Sequence, residues 1–254
     1  MPLYESSALI LRSVRLGEAD KIVTLFTRRY GKLKAVAKGA LRPKSRFGGR
    51  LEPFAQVNAI LFGKEKAELY RVNSMDIIDP FFYLRDDLER LGRAYVSAEL
   101  VDACQKERDA NYEGFEMLVA FWRSISMESK PDRLDLLLRL FELKCMAQIG
   151  FGPALTRCVS CGRAPSGLEA GFDPLKGGVV CSDCLPLAPA AFRTTMGAIK
   201  LMTRGMSMPV EMLGRLSAAA GPLAEVERMT NSLVETHVRR KIRSEKFLRP
   251  PGAR

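Results

Sequence analysis

The chain has 254 residues, 47 % of them apolar and 27 % charged, which is enough for one large or two smaller cored domains and excludes wholesale disorder. Its formal net charge of +11 divides into +7 over residues 1–80, −2 over 81–235 and +6 over 236–254, an asymmetry that points to a polyanionic partner, nucleic acid before an anionic membrane. No run of about 18 apolar residues exists to span a bilayer, and Met1-Pro-Leu-Tyr-Glu-Ser-Ser7 does not read as a secretory leader, so the expected location is the cytoplasm, where thiols stay reduced.

Residues 1–80 read as a β-domain. Short runs rich in Val, Ile, Leu, Phe and Thr occur at Ala8–Val14, Lys21–Thr27, Leu33–Lys38, Pro53–Phe62 and Glu68–Asn73. Gly17, Tyr30-Gly31-Lys32, Gly39 and Gly63-Lys64-Glu65-Lys66 punctuate them. Five short strands in this length fit a small barrel, of which the oligonucleotide-binding (OB) fold is the simplest; an SH3-like barrel competes, and strand counting does not separate the two. Asp79-Pro80 is a boundary. The stretch 81–248 reads as an all-α helical domain interrupted by an insertion at about 155–187. Leu84, Leu88, Leu91, Tyr95, Ala98 and Val101 recur at steps of three and four, and similar patterns run over 114–125, 133–149, 189–204, 209–219 and 222–243. The 133–149 segment is apolar nearly all round and is expected at the centre of the bundle. Residues 249–254 are expected to be a disordered tail.

Glycine and proline crowd the insertion, together with two CxxC pairs, Cys158/Cys161 and Cys181/Cys184, with 19 residues between them. Two residues between cysteines let one tight turn present both sulfurs to a single ion. Two such pairs supply the four ligands of a tetrahedral structural zinc site with no position left for water or substrate. Gly162 allows the backbone to aim N–H groups at the thiolates, and Gly177-Gly178 suits a hairpin that delivers the second pair. Arg157 and Arg163 flank the first pair and are placed to offset its negative charge. Cys104 and Cys145 lack a CxxC partner and read as core residues.

Nine basic and no acidic residues lie between Arg28 and Arg50: Arg28, Arg29, Lys32, Lys34, Lys38, Arg42, Lys44, Arg46 and Arg50. Period-two alternation puts Lys32, Lys34, Val36 and Lys38 on one face of a strand and Leu33, Ala35 and Ala37 on the other. Phe47, in the glycine-rich loop that follows, is placed to stack on an unpaired base while its neighbours hold phosphates. Arg239, Arg240, Lys241 and Arg243 form a second basic patch on what reads as the end of the last helix. No enzyme signature accompanies these features: there is no GxxxxGK[ST], HExxH or GxSxG, and His237 is the single histidine. A non-enzymatic binding protein is expected.

Val36-Ala-Lys-Gly-Ala-Leu-Arg-Pro-Lys-Ser-Arg-Phe-Gly-Gly-Arg-Leu-Glu-Pro-Phe54, the two cysteine motifs within 155–162 and 177–184, and Lys241-Ile-Arg-Ser-Glu-Lys-Phe-Leu248 resemble the bacterial DNA repair protein RecO family. Some members of that family lack the full cysteine set; this sequence has all four. The resemblance implies an N-terminal OB barrel, a helical domain with a zinc insertion, and a nucleoid-associated recombination mediator. Such a mediator binds single- and double-stranded DNA, anneals complementary strands and, with RecR and in some cases RecF, helps load RecA onto DNA coated by the single-strand binding protein SSB. It also implies contact with the acidic C-terminal tail of SSB, for whose carboxylates Arg123, Arg133 and Arg139 are candidates. The alternatives are a zinc-containing regulator that reads a specific DNA site, an RNA-modifying enzyme with an OB domain, and a scaffold that binds proteins alone.

Overall fold

Five strands fill the first eighty residues of the computed structural model, which describes residues 2–248. They are β1 (Leu3–Leu16), β2 (Asp20–Thr27), β3 (Gly31–Ala37), β4 (Gln56–Phe62) and β5 (Tyr70–Asp79). They close in the order β1-β2-β3-β5-β4, with β4 returning to β1. All neighbours are antiparallel except β3 and β5, which pair in parallel through Ala35/Tyr70 and Val36/Arg71. This order is that of the OB-type barrel and settles the alternative that strand counting left open. Alternation explains the filling: Leu33, Ala35 and Ala37 point inward with Ala8, Ile10, Val23, Leu25, Val57, Ala59 and Leu61. Small alanines among branched side chains let a narrow barrel close without voids. β1 is twice as long as its apolar run because a register shift between Ile10 and Arg12 bends it, so that it serves both β4 and β2.

The helices α1 (Leu88–Cys104) and α2 (Tyr112–Met127) belong with the barrel. Asp87 caps α1 by accepting from the Arg90 N–H at 2.9 Å. Trp122 of α2 is fully buried, its indole N–H donates to Ser97 Oγ at 3.0 Å, and the rings of Phe54 and Phe81 meet it edge-on at 5.7 and 5.6 Å. Both phenylalanines have left-handed backbones (φ 71° and 45°) that turn their rings toward that indole. The fifth strand ends at Asp79, while the compact unit runs on to residue 126; the second unit begins at Met127.

The second unit contains α3 (Pro131–Gln148), β6 (Glu169–Asp173), β7 (Gly178–Val180), β8 (Phe192–Thr195), α4 (Met196–Ser207) and α5 (Ala220–His237). α3 packs on α4 and α5 with Leu134, Leu137, Leu138, Phe141 and Leu143 buried, the central position its apolar circumference predicts. The helical pattern is corrected at three places. Over 209–219 the chain forms only a short 3-10 helix, Val210–Arg215, before Leu216 becomes extended. The 189–204 segment begins as a strand: β8 pairs with the outer edge of β6 before Thr195 caps α4. The last helix ends at His237 rather than 243, because Val238 is extended and Ile242 turns inward to a buried position. The expected tail at 249–254 lies outside the described residues.

Candidate metal centre and nucleic-acid interface

The β6–β7 hairpin and the loop before it build the cysteine site. Ala154 N–H donates to the Gly177 carbonyl, Val179 N–H to the Ala154 carbonyl and Val159 N–H to the Val179 carbonyl, each at 2.9 Å, so the two CxxC turns are laced back to back. Gly178 is required there, since a Cβ would overlap the Ala154 carbonyl and the Val159 side chain. Gly162 takes φ +77° and donates to the Cys158 carbonyl at 2.8 Å, closing the first turn. The sulfurs of Cys158, Cys161, Cys181 and Cys184 all lie within 4.8 Å of one another, and Cys161 Sγ is 3.7 Å from Cys181 Sγ. Four thiolates tetrahedrally disposed at about 2.3 Å from an ion would stand roughly 3.8 Å apart, so the cage fits a metal ion.

Its electrostatics fit as well. Burial resists ionisation of Cys158, but N–H groups of Cys181, Cys161 and Ser160 outweigh it and bring the thiol down to about 6. Hydrogen bonds from the Arg163 backbone and side chain lower Cys161, the damping its flanking position predicts. Hydrogen bonding of the Cys184 thiol to the Cys181 and Cys161 sulfurs holds its proton in place and pushes it up to about 12. Cys104 and Cys145 lie in α1 and α3, apart from the cluster.

The basic stretch divides in two. Its strand half is already paired, except for Arg29, which lies over the Tyr30 ring. Lys32 is buried, donates to the Asp102 carbonyl and faces the Asp102 carboxylate at 3.1 Å; Lys34 meets Glu107 at 2.5 Å; Arg28 meets Glu116 at 2.8 Å and the Tyr112 hydroxyl at 2.7 Å. The outward row read from alternation is thus corrected at Lys32, which the helical segment covers. The loop half is different. Lys38, Arg42, Lys44, Arg46 and Arg50 are exposed and have no carboxylate partner among the described residues. Gly39 N–H donates to Asp20 Oδ1 at 2.7 Å and Leu41 N–H to the Ala19 carbonyl at 2.8 Å, which pins this loop to the β1–β2 turn. Phe47 is corrected too: it is 2 % exposed and belongs to the barrel core, plugging its end beside Leu51, with Arg46 over its ring at 4.9 Å. With Gly48-Gly49 behind it the ring is free to fold inward, and its burial outweighed any exposed role.

Residues 1–81 match the family model described as "Recombination protein O N terminal", and residues 85–246 the model described as "Recombination protein O C terminal". A "DNA repair protein RecO" from Symbiobacterium thermophilum is 34 % identical over 251 residues, covering 98 % of this chain and 97 % of its own. The chain belongs to the RecO family of DNA repair proteins. Proteins of the same description from Roseiflexus sp. (33 % over 247 residues, 97 % of this chain and 85 % of theirs) and Acetivibrio thermocellus (35 % over 204 residues, 80 % and 78 %) are similar to it. No helix among the described residues is long and apolar enough to cross a membrane.

In this RecO-family chain the C-terminal basic residues Arg239, Arg240, Lys241 and Arg243 are exposed on an irregular segment after α5. His237 packs instead of facing outward, stacked on Phe151 at 4.4 Å with its Nε2 3.0 Å from the Pro174 carbonyl. Of the three arginines read as candidates for a partner's carboxylates, Arg123 is exposed, while Arg133 lies 3.4 Å from Glu128. Arg139 is corrected. It is 1 % exposed and meets Glu142 at 2.9 Å, Glu227 at 3.2 Å, Glu245 at 2.7 Å and Asn231 at 2.7 Å. A charged Arg and Glu three residues apart on an otherwise apolar helix were the available sign of this buried knot. Beside the metal site, α4 borders a groove of about 490 Å³ with Leu155, Pro165, Met196 and Ile199 on its walls and Lys200 and Arg204 at its rim.

Proposed function

We propose that this chain is a non-catalytic recombination mediator of the cytoplasm and nucleoid that binds single- and double-stranded DNA and anneals complementary strands. With RecR (and RecF in some settings) it would help load RecA onto SSB-coated single strands. The observation that carries this reading is the loop of unpaired cations, Lys38 to Arg50, on an OB-type barrel. A flexible polyanion gains free energy there by releasing counterions, with little dependence on base sequence. The exposed patch at Arg239–Arg243 is the second basic surface, and two such surfaces on one protein screen two strands as they approach. Four converging thiolates with no open position favour zinc in a structural role, holding the two CxxC turns that β6 and β7 cannot stabilise alone. For the SSB tail, the α4 groove offers apolar walls for an aromatic end and two cations for its carboxylates.

The test is annealing of SSB-coated complementary strands, alongside oligonucleotide affinity across a salt series. Replacing Lys38, Arg42, Lys44 and Arg46 by Gln is expected to weaken binding and to flatten the log–log salt slope by up to about 3, at roughly 0.7 for each single-strand phosphate that is no longer neutralised. Undiminished binding by the quadruple variant would move the DNA site off the barrel loop.

A further inference from the structure

The segment between α1 and α2 lies along the edge of β3 as an extra strand-like strap. Arg108 N–H donates to the Lys32 carbonyl at 3.0 Å, and Lys32 and Glu107 form an isolated parallel bridge. Arg108 takes φ 60° and its guanidinium donates to the carbonyls of Lys66 and Ala67 at 2.6 and 3.1 Å. The approach is so close that a Cβ on Gly31 would overlap the Asp109 carbonyl. The strap backbone is therefore a fixed part of the barrel wall, and it brings Glu107, with Glu116 one helix further on, against the barrel's cations.

The three ion pairs formed there are not equivalent. Lys32 and Asp102 each have only 10 % of their side chain exposed, so that pair is structural. Lys34 and Glu107 are 46 % and 37 % exposed, and Arg28 and Glu116 45 % and 41 %. Exposed pairs of this kind contribute little to stability and exchange partners readily.

We propose that Glu107 and Glu116 act as internal stand-ins for phosphate. They occupy Lys34 and Arg28 in the resting protein, so a nucleic acid held on the 38–50 loop reaches the β2–β3 face only by displacing two carboxylates. The exchange is one anion for another at each cation. Its effect is to hold the barrel's grip below what its positive charges alone would give, which suits a protein that must release the duplex it helps to form.

This inference rests on the DNA-binding reading of the barrel, and its test separates the two. The full-length chain is titrated against a fluorescent oligo-thymidine by anisotropy at several salt concentrations. The double variant Glu107→Gln/Glu116→Gln is expected to bind at least about threefold tighter than wild type. Its log–log salt slope is expected to steepen by up to about 1.4, because a displaced carboxylate in the wild type takes up a cation that offsets the one released by phosphate. Glu113→Gln removes the same charge one turn away, at an exposed side chain with no ion pair among the described residues, and is expected to give less than half that gain. In a Lys34→Gln background, Glu107→Gln is expected to give no more than the background gain of Glu113→Gln. No gain in the double variant, an equal gain from Glu113→Gln, or a gain from Glu107→Gln that keeps its full size without Lys34 overturns the proposal. If the loop variants weaken binding while the strap variants do nothing, only the strap role falls; if the loop variants are inert, the DNA reading itself falls.

Discussion

In the barrel unit apolar side chains occupy the middle and most ion pairs lie at the periphery. In the second unit polar groups hold the structure together: four thiols, two of them buried, share one cage, and a buried guanidinium holds three carboxylates. The contrast has a practical meaning. Removing a peripheral charge from the barrel alters what the surface attracts, whereas removing a polar group from the middle of the second unit alters whether that unit stays folded.

The largest expected effect tests the second half of that contrast. Metal analysis should give one zinc per chain. Chelation, or Cys158→Ser with Cys181→Ser, should unfold the β6–β7 region, since structural zinc contributes on the order of 10 kcal/mol of binding free energy. Oligonucleotide binding by the barrel loop should persist through that loss, because the loop belongs to the other unit. Circular dichroism and anisotropy on the same sample check both statements, and metal-free protein with an unchanged melting profile would break the comparison.

Next in size is Phe47, where the barrel's interior meets its basic loop. Phe47→Ala should cost roughly 3–5 kcal/mol in urea unfolding, as for a fully buried aromatic. Phe47→Leu should keep most of the stability and nearly all of the DNA affinity. A selective loss of single-strand binding in the Leu variant would restore the base-stacking role that its burial argues against.

The smallest effect concerns pH. Burial raises the Glu142 carboxyl to about 7, against the pull of Arg139. A carboxyl raised in the fold relative to the unfolded chain favours the protonated form. Its contribution is therefore fullest below the unfolded value near 4.5 and is lost as pH climbs toward about 7. Glu142→Gln should flatten the fall in melting temperature across that window while lowering the melting temperature throughout, because it takes a carboxylate from the buried Arg139. A pH profile identical to wild type would remove Glu142 from the account.

The sequence exposed what depends on near neighbours. Short β-rich runs between turn residues marked the barrel strands, and CxxC spacing marked the cage, because both patterns are written within a few residues. Lys32 was misread because its partner Asp102 lies 70 positions away and nothing in the run 28–50 announces it. Phe47 was misread because a loop's composition does not tell which of its side chains plugs the barrel. β8 was missed because four residues are too few to establish a period, and its pairing with β6 decides its conformation. Arg139 was read as a candidate for a partner's carboxylates because two of its three own carboxylates arrive from far along the chain, from α5 and from the last described turn.

That last contact sets a rule for handling the molecule. Glu245 reaches Arg139 from beyond the Arg239–Arg243 run, and Ile242 and Ser244 are buried on the way. Truncating the chain before residue 239 to strip its positive end would also withdraw a counter-ion and an apolar anchor from the interior. The charge of that end is open to study by substitution, one side chain at a time, and not by deletion.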